Sequence, residues 1–316
     1  MSAQAPGGVR VFLNPQSHHG RGWARWRRIE GELLRRLPAF ALEEIASPEE
    51  LPHCVASALG RGETRLIGAG GDGTLNLLLN AIMTSRVPAD EVTMGAIGLG
   101  SSNDSHKPFR PEAFVRGVPV RIDFDNASLC DVLRLEYHDA DGCRNGRFCL
   151  NNASVGITAE ANAFFNSRPA WLRAVHRVSA NAAGLSAALR TLLTFRGVSC
   201  QMTVADASEQ ALAIANVALL KNPHVSGSFC YDIPIQPDDG QLGIAVCERL
   251  SLLETVRMLV ALRRHRFQGR PKTSSWLASA FSLSSECPFA LELDGEVVQA
   301  RNVRCTVVPR AVRYCR

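Results

Sequence analysis

Gly70-Gly71-Asp72-Gly73-Thr74-Leu75-Asn76 is the stretch of this 316-residue chain best suited to chemistry. It stands between a short apolar run, Leu66 to Ala69, and the helically spaced Leu75, Leu78, Leu79 and Ile82. A glycine-rich turn at such a junction brings bare backbone N–H groups and a helix start to one point, the arrangement that holds phosphate. Two more polar turns follow predicted strands: Asn14-Pro15-Gln16-Ser17 after Val9 to Leu13, and Gly100-Ser101-Ser102-Asn103-Asp104 after Met94 to Leu99. Ligands of parallel sheets bind beyond the carboxyl ends of the strands, so the three loops are expected to converge on one ligand.

The elements that must position these loops alternate. Val9 to Leu13 reads as a buried strand, followed by a Gly/His/Arg loop and a basic helix through Leu37. A second unit runs from about Leu42 to Leu59, with Ser47 as helix N-cap, Pro48 at the first helical position and Glu49 and Glu50 in the first turn. The glycine loop and the strand Met94 to Leu99 belong to the third and fourth units. Such alternation predicts an α/β domain with a parallel sheet covered by helices. After Asp123 the pattern becomes mostly β, with runs such as Val132 to Tyr137, Ala211 to Leu220 and Leu242 to Cys247. Helical stretches from about Ala170 to Phe195 and Leu252 to Phe267 interrupt it. The change of pattern places a domain boundary near residue 125.

Length agrees with two domains, and 46% hydrophobic with 21% charged residues is ordinary for a soluble globular protein. Uncharged apolar runs such as Ala211 to Leu220 fall short of the roughly 20 residues that span a bilayer. Met1 to Gly8 lacks a basic n-region and an apolar h-region, so a cytoplasmic location is expected. Ten cysteines with no Cys-x-x-Cys pair signal neither a zinc knuckle nor a disulfide scaffold. The net charge of +5 gathers in Arg21 to Arg36 and Arg263 to Lys272, which suit either solvated helix faces or anionic partners. Nucleic acid is not expected; a homodimer is compatible with the sequence.

Seven features in order carry a resemblance: Asn14-Pro15-Gln16-Ser17, Gly70 to Asn76, Gly100 to Asp104, Asp123 after Arg121-Ile122, Asn151 to Gly156, Asp238-Asp239-Gly240 and Leu293-Asp294-Gly295-Glu296. Together they resemble the diacylglycerol kinase catalytic-domain superfamily, which includes bacterial soluble lipid kinases, sphingosine kinases and ceramide kinases. The resemblance implies an N-terminal α/β ATP-binding domain over 1–125, a β-sandwich lipid-acceptor domain over 126–299, and a tail from about 300 to 316 that returns to the first domain. It also implies ATP-dependent transfer of the γ-phosphate to a hydroxyl of diacylglycerol or a related lipid, with Mg2+.

Phosphoryl transfer needs the nucleotide phosphates held, their charge neutralised and the acceptor hydroxyl aligned. Gly70, Gly71, Gly73, Thr74, Leu75 and Asn76, with Asn14, Ser17, Ser47, Ser101 and Asn103, are the expected nucleotide cradle. By resemblance, Asp72, Asp104 and Asp123 join a metal and water network, and Glu296 is the general base that takes the acceptor's proton. The same source implies a Mg2+ site at Asp239 with carbonyls of Gln236 and Gln241. Read without the resemblance, the glycines make a tight turn, Asp123 is a strand-end aspartate, Leu293 to Glu296 is an Asp-Gly hairpin and Asp238-Asp239-Gly240 is a metal-free turn. His18 and His19 stand where the family has glycines, Ser101 where it has threonine, and Thr158 where many members have a head-group aspartate.

Phe164, Phe165, Trp171 and Leu172 with Arg168, Arg173 and Arg177 suit contact with an anionic membrane, or equally a helix packed on the sandwich. NAD kinase shares Gly-Gly-Asp-Gly-Thr, but Asn103-Asp104 and Leu293 to Glu296 favour the lipid kinases. A degenerate nucleotide- or lipid-binding regulator is the third reading; the retained Asp72, Asp104 and Glu296 argue against it.

Overall fold

The structure, a computed structural model, describes residues 8–167, 190–205 and 207–315. Its N-terminal half is a parallel sheet of β1 (Val9–Leu13), β2 (Phe40–Glu44), β3 (Arg65–Gly70) and β4 (Thr93–Gly98), in the order β2-β1-β3-β4. Helix α1 (Gly22–Arg36) covers one face and α2 (Leu51–Gly60) and α3 (Asp72–Met83) the other. Successive strand residues point to opposite faces. Val11 and Leu13 therefore pack with Trp26, Ile29 and Leu33 of α1, while Phe12 packs with Val55 of α2 and Leu78 and Ile82 of α3.

One local expectation is corrected. Ser47 does not cap a helix: residues 48–50 form a turn with Glu50 N–H donating to the Ser47 carbonyl at 3.2 Å, and α2 begins at Leu51. The Ser47 hydroxyl instead helps hold the Glu49 carboxyl below its ordinary range. The segment after Asn14-Pro15 is a tight loop in which His18 and His19 both have positive φ, 51° and 60°. That region favours glycine.

Beyond β4 come β5 (Phe114–Val115) and β6 (Val118–Arg121), the latter antiparallel to β4. The mostly β half contains β7 (Ser128–Asp139), β8 (Arg144–Cys149), β9 (Asn152–Gly156), β10 (Val198–Val204), β11 (Gln210–Leu220), β12 (His224–Val225), β13 (Phe229–Cys230), β14 (Leu242–Glu248), β15 (Thr273–Ala278), β16 (Ala280–Leu293) and β17 (Glu296–Tyr314). Helix α4 (Ile157–Ser167) follows β9, and α5 (Leu252–Arg263) follows β14. Antiparallel β7, β9, β10, β11, β14, β16 and β17 enclose one apolar interior containing Leu133, Val155, Val217, Ile244, Phe281, Leu291 and Val303. Helix α5 packs outside it through Met258, Ala261 and Leu262 against Tyr231, Ala245 and Cys247.

β17 joins the halves. It pairs along most of its length with β7 and β16, and at its end Arg313 and Tyr314 pair in parallel with Thr93 and Met94 of β4. Among the described residues no helix is long and apolar enough to cross a membrane. Of the segment expected to touch membrane, Arg168, Trp171, Leu172, Arg173 and Arg177 lie outside the described residues, as does most of the expected 170–195 helix.

Candidate active site

Because β1, β3 and β4 are parallel neighbours, the loops leaving their carboxyl ends lie side by side. Asn14 N–H donates to the Ala69 carbonyl at 2.9 Å, and the Leu99 and Gly100 N–H groups donate to the Gly70 carbonyl at 2.7 and 3.1 Å. Asn14 Nδ2 donates to Thr74 Oγ1 at 2.9 Å, tying the first loop to the start of α3. A Cβ at Gly70 would overlap the Thr74 side chain, and one at Gly100 would meet Gly71 Cα at 2.5 Å. Glycine is required at both positions by close approach. Gly73, by contrast, faces open space.

The α3 N-terminus begins at Asp72 behind the extended Gly71, so its first N–H groups have no intrahelical partner. Asp72 bridges to the third loop: Oδ2 accepts from Asp104 N–H at 3.1 Å, and Oδ1 accepts from the Ser105 N–H at 3.0 Å and hydroxyl at 2.9 Å. Asn103, held in the left-handed region at φ 49°, donates to the Gly98 and Gly100 carbonyls at 3.2 and 3.1 Å. Ser101 is exposed at the lip of this loop. Ser17 Oγ, His18 Nδ1 and Asn103 Oδ1 are buried without a hydrogen-bond partner among the described residues. Buried polar atoms are almost always satisfied, so orphans gathered in two of the loops suit a polar ligand.

Asp104 is 6% exposed and ion-paired with Lys107 at 2.7 Å. Gly227 N–H donates to both its oxygens, at 3.1 and 3.2 Å. Burial raises its carboxyl above the ordinary range; Lys107 opposes the rise and nearby Asp72 adds to it.

The downstream acid arrives on the hairpin between β16 and β17. Asp294 and Gly295 have φ of 48° and 97° and join the paired Leu293 and Glu296, the two-residue turn that matches strand twist. Asp294 is buried and accepts from the N–H groups of Leu150, Asn151 and Asn152 at 2.7, 3.1 and 2.9 Å, and from Asn76 Nδ2 at 3.0 Å. Asn76 lies one turn beyond Asp72 on α3, so the hairpin carrying Glu296 is pinned to the glycine-loop helix. The Glu296 side chain is half-buried and has no hydrogen-bond or ion-pair partner among the described residues. Burial pushes Asp294 up to about 6 and Glu292, bonded to the Ser154 hydroxyl at 2.6 Å, up to about 7.

A ring of hydrogen bonds closes around the cleft. Asn222 Nδ2 donates to the Asp104 carbonyl at 2.8 Å and to Asn151 Oδ1 at 3.3 Å; Asn151 N–H reaches Asp294, and Asn76 leads back to Asp72. Asn222, Lys107 and Glu292 escaped the sequence reading. Lys107 at i+3 from Asp104 was the available signal.

Five expected residues stand apart from this ring. Asp123 is exposed and caps its own turn, accepting from Asn126 N–H at 3.2 Å and Nδ2 at 2.7 Å, the bonds that hold its carboxyl low. No hydrogen bond joins it to Asp72 or Asp104. Ser47 remains on the neighbouring β2 loop. At the turn expected to hold Mg2+, the Lys221 ammonium donates to the Gln236 carbonyl at 2.7 Å, Asp239 Oδ1 at 3.0 Å and the Gln241 carbonyl at 2.7 Å. Those three oxygens are thus taken by an amine. Among the described residues no group of three or more His, Cys, Asp or Glu side chains is arranged to hold a metal ion.

Residues 8–130 match the diacylglycerol kinase catalytic domain and residues 151–316 match the YegS C-terminal NAD kinase beta sandwich-like domain. A Stenotrophomonas maltophilia protein named "Probable lipid kinase YegS-like" is 26% identical over 82% of this chain and 81% of its own. A diacylglycerol kinase of Staphylococcus saprophyticus is 25% identical over 91% and 88%. In fold, the crystal structure of a diacylglycerol kinase from Bacillus anthracis superimposes with a TM-score of 0.66 at 14% identity, covering 98% of this chain and 96% of the other. Yeast NADH kinase complexed with NADH is more distant, with a TM-score of 0.52 at 12% identity, covering 98% and 83%. The chain therefore belongs to the lipid kinase family in which a diacylglycerol kinase catalytic domain is joined to a YegS-type β-sandwich.

Proposed function

We propose that this chain transfers the γ-phosphate of ATP to a hydroxyl of diacylglycerol or a closely related lipid. The observation that carries the reading is the Asn76–Asp294 bond, which sets the Glu296 hairpin against the helix whose N-terminus opens the glycine loop. In this reading the α3 N-terminus, Ser17 and the loop after β4 receive the phosphates, helped by helix-end charge. Mg2+ carried by the nucleotide would neutralise phosphate charge; such an ion needs only one or two protein carboxylates, and Asp72 and Asp104 fit that number. Glu296 accepts the acceptor's hydroxyl proton as its oxygen bonds to the γ-phosphorus and the bond to the ADP oxygen breaks. Its freedom from other partners suits that task.

A groove of about 1350 Å³ between α4 and strands β10 and β16 supports a lipid acceptor. Phe164, Val198 and Phe289 supply apolar wall. A second surface, besides the one expected, fits contact with an anionic membrane. On α5, Leu252, Leu253, Val256, Leu259 and Val260 are 37–58% exposed, while Thr255, Met258, Ala261 and Leu262 face the protein. Arg257, Arg263 and Arg264 border the outward stripe, which carries no acid. An anionic bilayer would take up the leucines and pair with the arginines. A two-fold dimer through this face would set the same arginines against each other.

The test is incubation of the protein with radiolabelled ATP and a panel of diacylglycerol, sphingosine, ceramide and NAD. Label in phosphatidic acid supports the proposal. Label in NADP supports the NAD kinase alternative, and tight nucleotide binding with no product supports a regulator.

A further inference from the structure

The turn at Asp239 is a cation cage, and the cation in it belongs to the chain. Lys221, at the end of β11, is almost fully buried: its side chain is 2% exposed and that of its partner Asp131 is wholly buried. Its ammonium has four oxygen neighbours: Asp131 Oδ2 at 2.9 Å, Asp239 Oδ1 at 3.0 Å, and the Gln236 and Gln241 carbonyls at 2.7 Å each. These distances are those of charge-assisted N–H···O bonds. They exceed the 2.0–2.1 Å that Mg2+ demands and the 2.3–2.6 Å of Ca2+, and the nitrogen occupies the space a metal would need.

The cage is itself held tightly. Asp131 accepts from Gly240 N–H and Arg310 N–H, both at 2.8 Å, and Asp131 N–H donates to the Pro237 carbonyl at 2.8 Å. Asp239 Oδ1 also accepts from Gln241 N–H at 3.0 Å. The ammonium therefore ties together β7, β11 and the 236–241 turn, and Asp131 adds β17 through Arg310. Lys221 N–H donates to the Asn151 carbonyl at 2.7 Å, and the next residue, Asn222, reaches the Asp104 carbonyl.

We infer that Lys221 replaces, with a tethered ammonium, the structural divalent ion implied for this turn, so that the chain positions Asn222 and the cleft without any metal at Asp239. Removing the ammonium uncovers two carboxylates and two carbonyl oxygens, the hard donor set that Mg2+ and Mn2+ prefer. Lys221→Ala converts the lysine site into a divalent-cation site. Lys221→Met removes the charge but leaves the space filled.

The test uses the full chain without nucleotide or lipid, so its outcome is separate from the fate of the kinase reading. Thermal unfolding is followed in excess EDTA and in millimolar MgCl2, and Mn2+ binding by electron paramagnetic resonance. Wild-type protein is expected to unfold at the same temperature in both conditions. Lys221→Ala is expected to unfold roughly 5–15 °C lower in EDTA, since an uncompensated buried carboxylate is left behind. Mg2+ should restore much of that loss, and the variant should bind one more Mn2+ than wild type, a site removed by adding Asp239→Asn. Lys221→Met should be destabilised without rescue. A wild-type protein that loses stability in EDTA, or that holds a Mn2+ removed by Asp239→Asn, overturns the inference, even if Lys221→Ala fails to fold. A folded Lys221→Ala that gains no Mn2+ overturns it as well.

Discussion

Asn76 Nδ2 donates to the buried carboxylate of Asp294 at 3.0 Å across 218 residues of sequence. The same Nδ2 donates to the Phe148 carbonyl at 2.8 Å, so one amide joins α3 to both β8 and the β16–β17 hairpin. Asn76→Ala leaves these acceptors short of a donor and is expected to cost about 1–3 kcal/mol. Asn76→Asp opposes two carboxylates and should cost more, with a larger loss of turnover. Urea unfolding and initial rates check both; wild-type stability in Asn76→Asp would contradict the anchoring role.

Gly100 and Gly73 separate packing from ligand contact. A Cβ at Gly100 meets Gly71 Cα at 2.5 Å, so Gly100→Ala should lower both stability and nucleotide affinity. A Cβ at Gly73 meets nothing within 4 Å, so Gly73→Ala should keep nearly the wild-type Tm while losing affinity wherever phosphate occupies that space. Differential scanning fluorimetry with and without an ATP analogue reads both quantities. Equal affinity in Gly73→Ala and wild type would remove the glycine loop from the nucleotide site.

Glu292 predicts a pH dependence. Burial raises its carboxyl from an ordinary 4.5 to about 7, so between those pH values the folded chain holds a proton that the unfolded chain has released. The unfolded state then binds fewer protons, and stability falls as pH rises through that window. Glu292→Gln removes this dependence and should flatten the pH 4.5–7 profile by on the order of 2–3 kcal/mol. Urea unfolding across this range is the check; a variant as pH-sensitive as wild type would show that Glu292 is not the titrating group.

The α5 stripe predicts salt-sensitive binding to anionic vesicles. Leu253 and Val256 are 58% and 43% exposed, so a Leu253→Glu/Val256→Glu double variant should keep its Tm. It should bind phosphatidylglycerol vesicles at least about tenfold more weakly, since burying each aliphatic side chain is worth roughly 1.5–3 kcal/mol. Unchanged sedimentation would place the lipid contact elsewhere.

The glycine loop, the strand-end turns and the α/β alternation were readable because their signals are local: residue type and spacing within about ten positions. The Asp-Gly hairpin at Asp294 was legible for the same reason. Lys221, Asn222 and Glu292 were not, because their partners Asp131, Asp104 and Ser154 lie 90, 118 and 138 residues away. A lysine or asparagine at a strand end looks like surface until the fold buries it. Ser47-Pro48 carried a sound local signal, but the chain makes one more turn before α2 starts at Leu51. Asp123 illustrates the reverse: its acid was assigned a distant role and is spent on its own turn with Asn126.

Formation of phosphatidic acid from ATP and diacylglycerol by wild-type protein and by Glu296→Gln, with nucleotide affinity measured alongside, tests the central assignment most directly. Loss of a general base predicts a fall in kcat of roughly 10²–10⁴-fold with nucleotide affinity nearly unchanged. Wild-type turnover in Glu296→Gln would contradict the assignment of Glu296 as the base.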